Sequence, residues 1–154
     1  MVSYVWEVAV EALTEAKRPL HYERITEHIL NAGRTHLGSR GRTPAKSVGT
    51  ILRSKPEIFI GLGDGYYDLR YRPLKVRFVV QPARRLEACS HLLDALRQFV
   101  QLKRWDKETV VSSDGDRCEV EVLATVDAEQ WRRNEWRIRT DLRHEFESVE
   151  LSLE

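Results

Sequence analysis

Gly41–Leu69 reads GRTPAKSVGTILRSKPEIFIGLGDGYYDL, and this stretch decides how the first half of the chain folds. Thr43 is suited to cap a helix, and Pro44 follows at the first helical position, where a missing N–H costs nothing. Val48, Ile51 and Leu52 recur at helical spacing and define an apolar face, while Lys46, Ser47, Thr50 and Arg53 fall on the other side. Pro56 stops the helix. Ile58, Phe59 and Ile60 read as a short strand, the glycines at 61, 63 and 65 as a turn, and Tyr66–Leu69 as the returning strand. A polar-faced helix of about residues 43–54, followed at once by a glycine-tipped hairpin, is the layout of a recognition helix with its wing.

Upstream, residues 3 to 17 read as a helix capped by Ser3, with Trp6, Ala9, Val10 and Leu13 in register and Glu7, Glu11 and Glu15 outward. Pro19 interrupts it, and Leu20-His21-Tyr22 forms a connector within reach of the hairpin. A second helix is expected over about Glu23–Ala32, with Ile25 and Ile29 inward and Gly33 as its stop. The run from Arg34 to Arg42, RTHLGSRGR, then predicts a basic loop longer than the three or four residues of an ordinary helix-turn-helix turn.

Charge is unevenly divided. The chain carries a formal net +1, but residues 1 to 72 hold 11 Lys/Arg against 8 Asp/Glu, and residues 73 to 154 hold 14 against 16. Arg34 to Lys55 contains six basic side chains and no acid. A local stripe of this kind suits phosphate contacts of moderate strength.

Beyond Pro73 the rhythm changes. Lys75–Val80 reads as a strand, about Ala83–Lys103 as a helix with Leu86, Cys89, Leu93, Leu96 and Val100 inward, and Thr109–Ser112 as a second strand. Asp114-Gly115 signals a hairpin turn into a third strand, Cys118–Val126. Asp127 caps a long helix reaching about Glu147, and Val149, Leu151 and Leu153 alternate in a last strand. The order strand, helix, strand, strand, helix, strand is the split βαβ pattern of a ferredoxin-like domain. The expected class is therefore α+β: a winged helix-turn-helix over residues 1–72, then a ferredoxin-like βαββαβ domain over 74–154.

Residues 1–72 resemble the HARE-HTH domain. The resemblance rests on Pro19-Leu20-His21-Tyr22, Ile25 and Ile29, Gly41-Arg42-Thr43-Pro44, Val48 and Leu52, and Phe59, Gly63, Gly65, Tyr67 and Leu69, in that order. Members of this family occur in chromatin regulators and restriction endonucleases and form the folded part of the bacterial RNA polymerase delta subunit. The resemblance implies a DNA-binding winged helix. It departs from the delta pattern, because the remainder of this chain is periodic rather than an acidic tail, and no nuclease or methylase domain accompanies it.

On that reading Arg34, Arg40, Arg42, Thr43 and Lys46 are expected to contact phosphates, and Ser47, Thr50 and Arg53 to reach base edges. Asp64 and Asp68 speak against a wing that presses on phosphate. Other chemistry is weakly encoded. Asp114, Asp116, Glu119 and Glu121 bunch at the second hairpin without a lysine beside them, and His21, His28, His36, His91 and His144 show no i, i+4 pairing. No nucleophile elbow occurs, and Gly61–Gly65 precedes a strand rather than a helix. Cys89 and Cys118 lie outside any CxxC spacing and read as buried thiols. The last helix interleaves Arg132, Arg133, Arg137, Arg139 and Arg143 with acids at pairing distance, and Trp136 sits off its apolar stripe.

The expectation is a non-enzymatic, cofactor-free cytoplasmic protein, nucleoid-associated if prokaryotic, without a signal peptide or membrane span. Its expected partners are double-stranded DNA, a second copy of itself through the C-terminal domain, and a protein of a transcription or DNA-processing complex. The leading role is a small transcription-regulating or DNA-modification or restriction-associated factor. The alternative is an interaction adaptor that docks on a larger complex without reading DNA.

Overall fold

The computed structural model describes residues 3–35 and 44–154. It is α+β with antiparallel sheets, in two compact units, Met1–Arg70 and Tyr71–Glu154.

In the first unit, α1 (Val5–Ala16), α2 (Tyr22–Ala32) and α3 (Pro44–Arg53) accompany a small sheet of β1 (Leu20–His21), β2 (Phe59–Gly63) and β3 (Tyr66–Leu69), in the order β1-β3-β2. The connector before α2 is thus a strand, pairing Leu20 with Tyr67 and His21 with Tyr66. Val8, Ala9 and Leu13 from α1, Ile25 and Ile29 from α2, Val48 and Leu52 from α3, and Phe59, Tyr67 and Leu69 from the sheet form one buried cluster. Each large aliphatic side chain fully buried here contributes about 1.5–3 kcal/mol.

Two local expectations change at α1. Ser3 does not cap α1: its N–H donates to the Arg34 carbonyl (2.8 Å), and Tyr4 takes the capping position without a side-chain bond. The buried face of α1 is Val8, Ala9, Ala12 and Leu13, with Trp6 and Val10 at its margin, because the helix is covered from one side further round than the Trp6 stripe suggested. At α2 the cap is His21, whose Nδ1 accepts from the Glu23 N–H at 3.2 Å, and Gly33 ends the helix at φ +64°.

In the second unit, β4 (Tyr71–Val80), β5 (Leu102–Asp114), β6 (Arg117–Asp127) and β7 (Val149–Leu153) lie in the order β5-β6-β4-β7, every neighbour antiparallel. Helices α4 (Arg85–Arg97) and α5 (Ala128–Glu145) complete the strand-helix-strand-strand-helix-strand sequence. Leu74, Val76 and Phe78 of β4 alternate inward, as do Val120, Val122 and Ala124 of β6; they meet Cys89, Leu92 and Leu96 of α4 and Trp131, Ile138 and Leu142 of α5. One sheet face thereby buries both helices. The other face is polar, with Arg77 Nε donating to Glu121 at 2.7 Å. Asp127 caps α5 by accepting from the Gln130 N–H at 3.0 Å.

The main departure is between residues 97 and 109. The helix expected to reach Lys103 ends at Arg97, and the strand expected over 109–112 begins at Leu102. Leu92 rather than Leu93 is fully buried, and Leu86 is 74% exposed. β5 is an edge strand, exposed along most of its length and irregular in register at three places. It therefore lacks the two-residue alternation that marks a half-buried strand. Both cysteines are buried and free.

Candidate nucleic-acid interface

Helix α3 begins at Pro44 and carries a basic residue, Arg53, in its last turn and no acid in its first. Burying Val48 and Leu52 orients the helix, since residues three to four apart share a face. Lys46, Thr50 and Arg53, at i, i+4 and i+7, then lie together on the opposite, exposed side. Ser47 is half-buried at the edge of that face. The Thr50 hydroxyl donates to the Lys46 carbonyl one turn back, at 3.0 Å.

Arg53 does not stand away from the helix. Its Nη1 donates to the Tyr67 hydroxyl of β3 at 3.2 Å, and its Nη2 makes a long 3.5 Å contact with Thr50 Oγ1. The guanidinium lies over Gly49: a Cβ there would sit 3.3 Å from Arg53 Nη1. Lys55, just beyond the helix, places its ammonium 5.3 Å from the Trp6 ring centre, a cation–π arrangement that ties the basic end of the segment to α1.

The remaining expected contacts divide. Arg34 is about half exposed and forms an ion pair with Glu11 of α1, so part of its charge is met within the unit. Arg40, Arg42 and Thr43, and with them most of the basic loop, lie outside the described residues.

The hairpin after α3 turns at Asp64 and Gly65, both at positive φ (55° and 81°). That pair of angles is what a two-residue hairpin of the primed type requires. Asp64 serves the turn. Asp68, expected on the wing beside it, is instead fully buried and partnered in β3, the middle strand of its sheet, where Tyr67, Asp68 and Leu69 are all buried and both faces are therefore covered. Gly65 packs under the residues that open α2: a Cβ on it would lie 2.6 Å from His21 Nε2 and 3.0 Å from the Tyr22 ring. The Gly65 carbonyl accepts from the Tyr22 N–H at 2.9 Å. Sequence reasoning named Tyr67 and His21 only among the residues that carry the family resemblance and gave neither of them a contact. A buried tyrosine fourteen residues away leaves no local signal of what its hydroxyl meets.

Elsewhere, Arg133 pairs with Glu129 and Arg139 with Glu135 along α5, both at 2.9 Å, while Trp136 is 77% exposed. Among the described residues no group of three or more His, Cys, Asp or Glu is placed to hold a metal ion, and no helix is long and apolar enough to cross a membrane.

No protein-family model matches this sequence, and no curated protein matches it. Among solved structures, the chain is similar to the solution structure of the C-terminal domain of the MgtC protein from Mycobacterium tuberculosis. The TM-score is 0.41 at 12% identity, covering 56% of this chain and 92% of that one. A likeness of this degree carries no argument about function.

Proposed function

We propose that the first unit, which ends at Arg70, forms a winged helix-turn-helix of the HARE-HTH kind and that the protein binds duplex DNA through α3 and the basic loop before it. The observation that carries this reading is the division of α3: Val48 and Leu52 are buried, and Lys46, Thr50 and Arg53 are presented together on the outer face with no acid in the helix. Arg34, Arg40, Arg42, Thr43 and Lys46 supply phosphate contacts; Ser47, Thr50 and Arg53 face base edges. The role is regulation of transcription or service to a DNA-modifying or restriction system.

The test is binding of the full chain to random-sequence duplex DNA across a salt series. Affinity should fall steeply as salt rises, and Lys46→Ala should weaken binding and reduce the salt slope by about one. Absence of binding by the unaltered chain at low salt would sink the reading.

The adaptor alternative has its own support in the hairpin. No Lys or Arg occurs between Ile58 and Leu69, and Leu62 and Tyr66 are 41% and 47% exposed. A hairpin with exposed apolar side chains, Asp64 at its turn and no cation suits protein better than phosphate. For the second unit, self-association is the favoured use of the exposed Trp136 and of Val110 and Val111 on edge strand β5. A monomer by sedimentation equilibrium at high concentration would remove it.

A further inference from the structure

We infer that Tyr67 and Gly49 are positioning residues, which hold the Arg53 guanidinium as a preset donor on the outer face of α3; this rests on the DNA-binding reading above. An arginine near the end of a helix ordinarily samples many rotamers, and ordering it on a ligand costs entropy. Here the side chain runs back toward the helix N-terminus, as helical side chains do. Its head comes to rest over the preceding turn instead of beyond the helix end.

Three features hold it there. Gly49 has no Cβ, which would press on Arg53 Nη1 at 3.3 Å. The Tyr67 hydroxyl accepts from Nη1 at 3.2 Å. Thr50 Oγ1 flanks Nη2 at 3.5 Å, and is itself aimed by its own bond to the Lys46 carbonyl. A guanidinium has five N–H donors, so a bond to Tyr67 and a contact with Thr50 leave three for an incoming acceptor, in a plane already chosen. The head thereby stays beside Thr50, on an exposed side chain of α3. The placing also explains a mid-helix glycine, which otherwise only weakens the helix.

The inference gives the hairpin a task that does not depend on its tip. Tyr67 is buried in β3 by its ring, paired in register with Leu20 of β1 and Gly61 of β2, and only its hydroxyl is needed at α3. The hairpin contributes to binding by orienting an arginine on the helix, while Asp64 and Leu62 stay clear of the nucleic acid.

Tyr67→Phe keeps the ring and deletes the acceptor. In the full chain it should weaken binding to random duplex DNA about three- to tenfold with the salt slope unchanged, because no charge is lost. Thermal stability should stay near that of the parent. Arg53→Ala should weaken binding further and lower the slope by about one. Adding Tyr67→Phe to Arg53→Ala should do nothing more, since the residue it positions is gone. Gly49→Ala should raise the melting temperature through helix propensity yet lower affinity, a split that a merely structural glycine would not produce. If Lys46→Ala weakens binding but Tyr67→Phe binds as the parent does, or if the Tyr67 and Arg53 losses multiply, the positioning role is overturned and the DNA reading survives. If the parent binds no duplex at low salt, both fall.

Discussion

The chain turns two hairpins on the same dipeptide, Asp-Gly, and secures them in opposite ways. In the first, Asp64 and Gly65 are the two loop residues, and Gly65 is wedged beneath His21 and Tyr22. In the second, Asp114 still belongs to the ladder, paired with Arg117, and Gly115 at φ +59° has nothing within 4 Å of where a Cβ would be. One glycine answers two demands, a left-handed backbone and a crowded site. The other answers one. The first hairpin is clamped to its unit at the turn, whereas the second is held by its length, thirteen residues of β5 against eleven of β6. The same local signal thus marks a turn packed beneath neighbouring side chains in one unit and a turn with an open glycine in the other.

The strongest way to break this comparison is Gly65→Ala. Left-handed strain and the clash with His21 together should cost roughly 2–5 kcal/mol. Residue-resolved hydrogen exchange should show the loss across α1, α2 and α3, with the strands of the second unit unaffected. A loss no larger than that of the corresponding change at Gly115 would erase the distinction.

A second test addresses how the β5–β6 hairpin is tied down. Burial pushes the Cys89 thiol up from 9.0 to about 11, and Glu108 of β5, beside it, adds to the rise. The folded chain therefore keeps this proton where the unfolded chain has lost it, and stability must fall as pH climbs through that interval. Stability should decline between pH 9 and about 11, with a slope below the ~1.4 kcal/mol per pH unit of a fully desolvated group because solvent screens part of the effect. Urea denaturation over that range measures it, and Cys89→Ala should flatten the curve relative to the parent.

The smallest expected effect is Gly115→Ala, about 1 kcal/mol for the backbone angle alone, with Gly115→Asn close to neutral. Comparing the two alanine variants by thermal denaturation sharpens the contrast directly.

What was legible along the chain was its punctuation. Pro44, Gly33, Asp127 and the Asp114-Gly115 turn each act through a fixed backbone angle or a cap, so they declare themselves without reference to anything distant, whereas the turn expected over residues 61–65 is confined to Asp64 and Gly65, since β2 runs on to Gly63. The inward faces of α2, α3, β4 and β6 were legible for a related reason: each is buried from one side and shows its period. The edge strand β5 was not, since a strand exposed on most of its surface and broken by bulges has no period to show. The end of α4 was lost with it. The burial of Asp68 was not foreseen because β3, the middle strand of its sheet, is covered on both faces from Tyr67 to Leu69 and shows no alternation.

For the candidate interface, the residue types and their helical spacing were readable, and Lys46, Thr50 and Arg53 do share an exposed face. The direction of Arg53 was not readable. It depends on a hydroxyl carried by another strand and on a gap left by a glycine one turn away.

By itself the sequence determined the order of elements, the class α+β, and the helix that offers a basic outer face, because these follow from steric and periodic rules acting within a few residues. Only the tertiary structure decided that β1 pairs with the first hairpin, that Gly65 sits under His21, and that Arg53 folds back onto Gly49 and Tyr67. Those outcomes turn on which distant surfaces meet, and packing rather than local preference chooses among them.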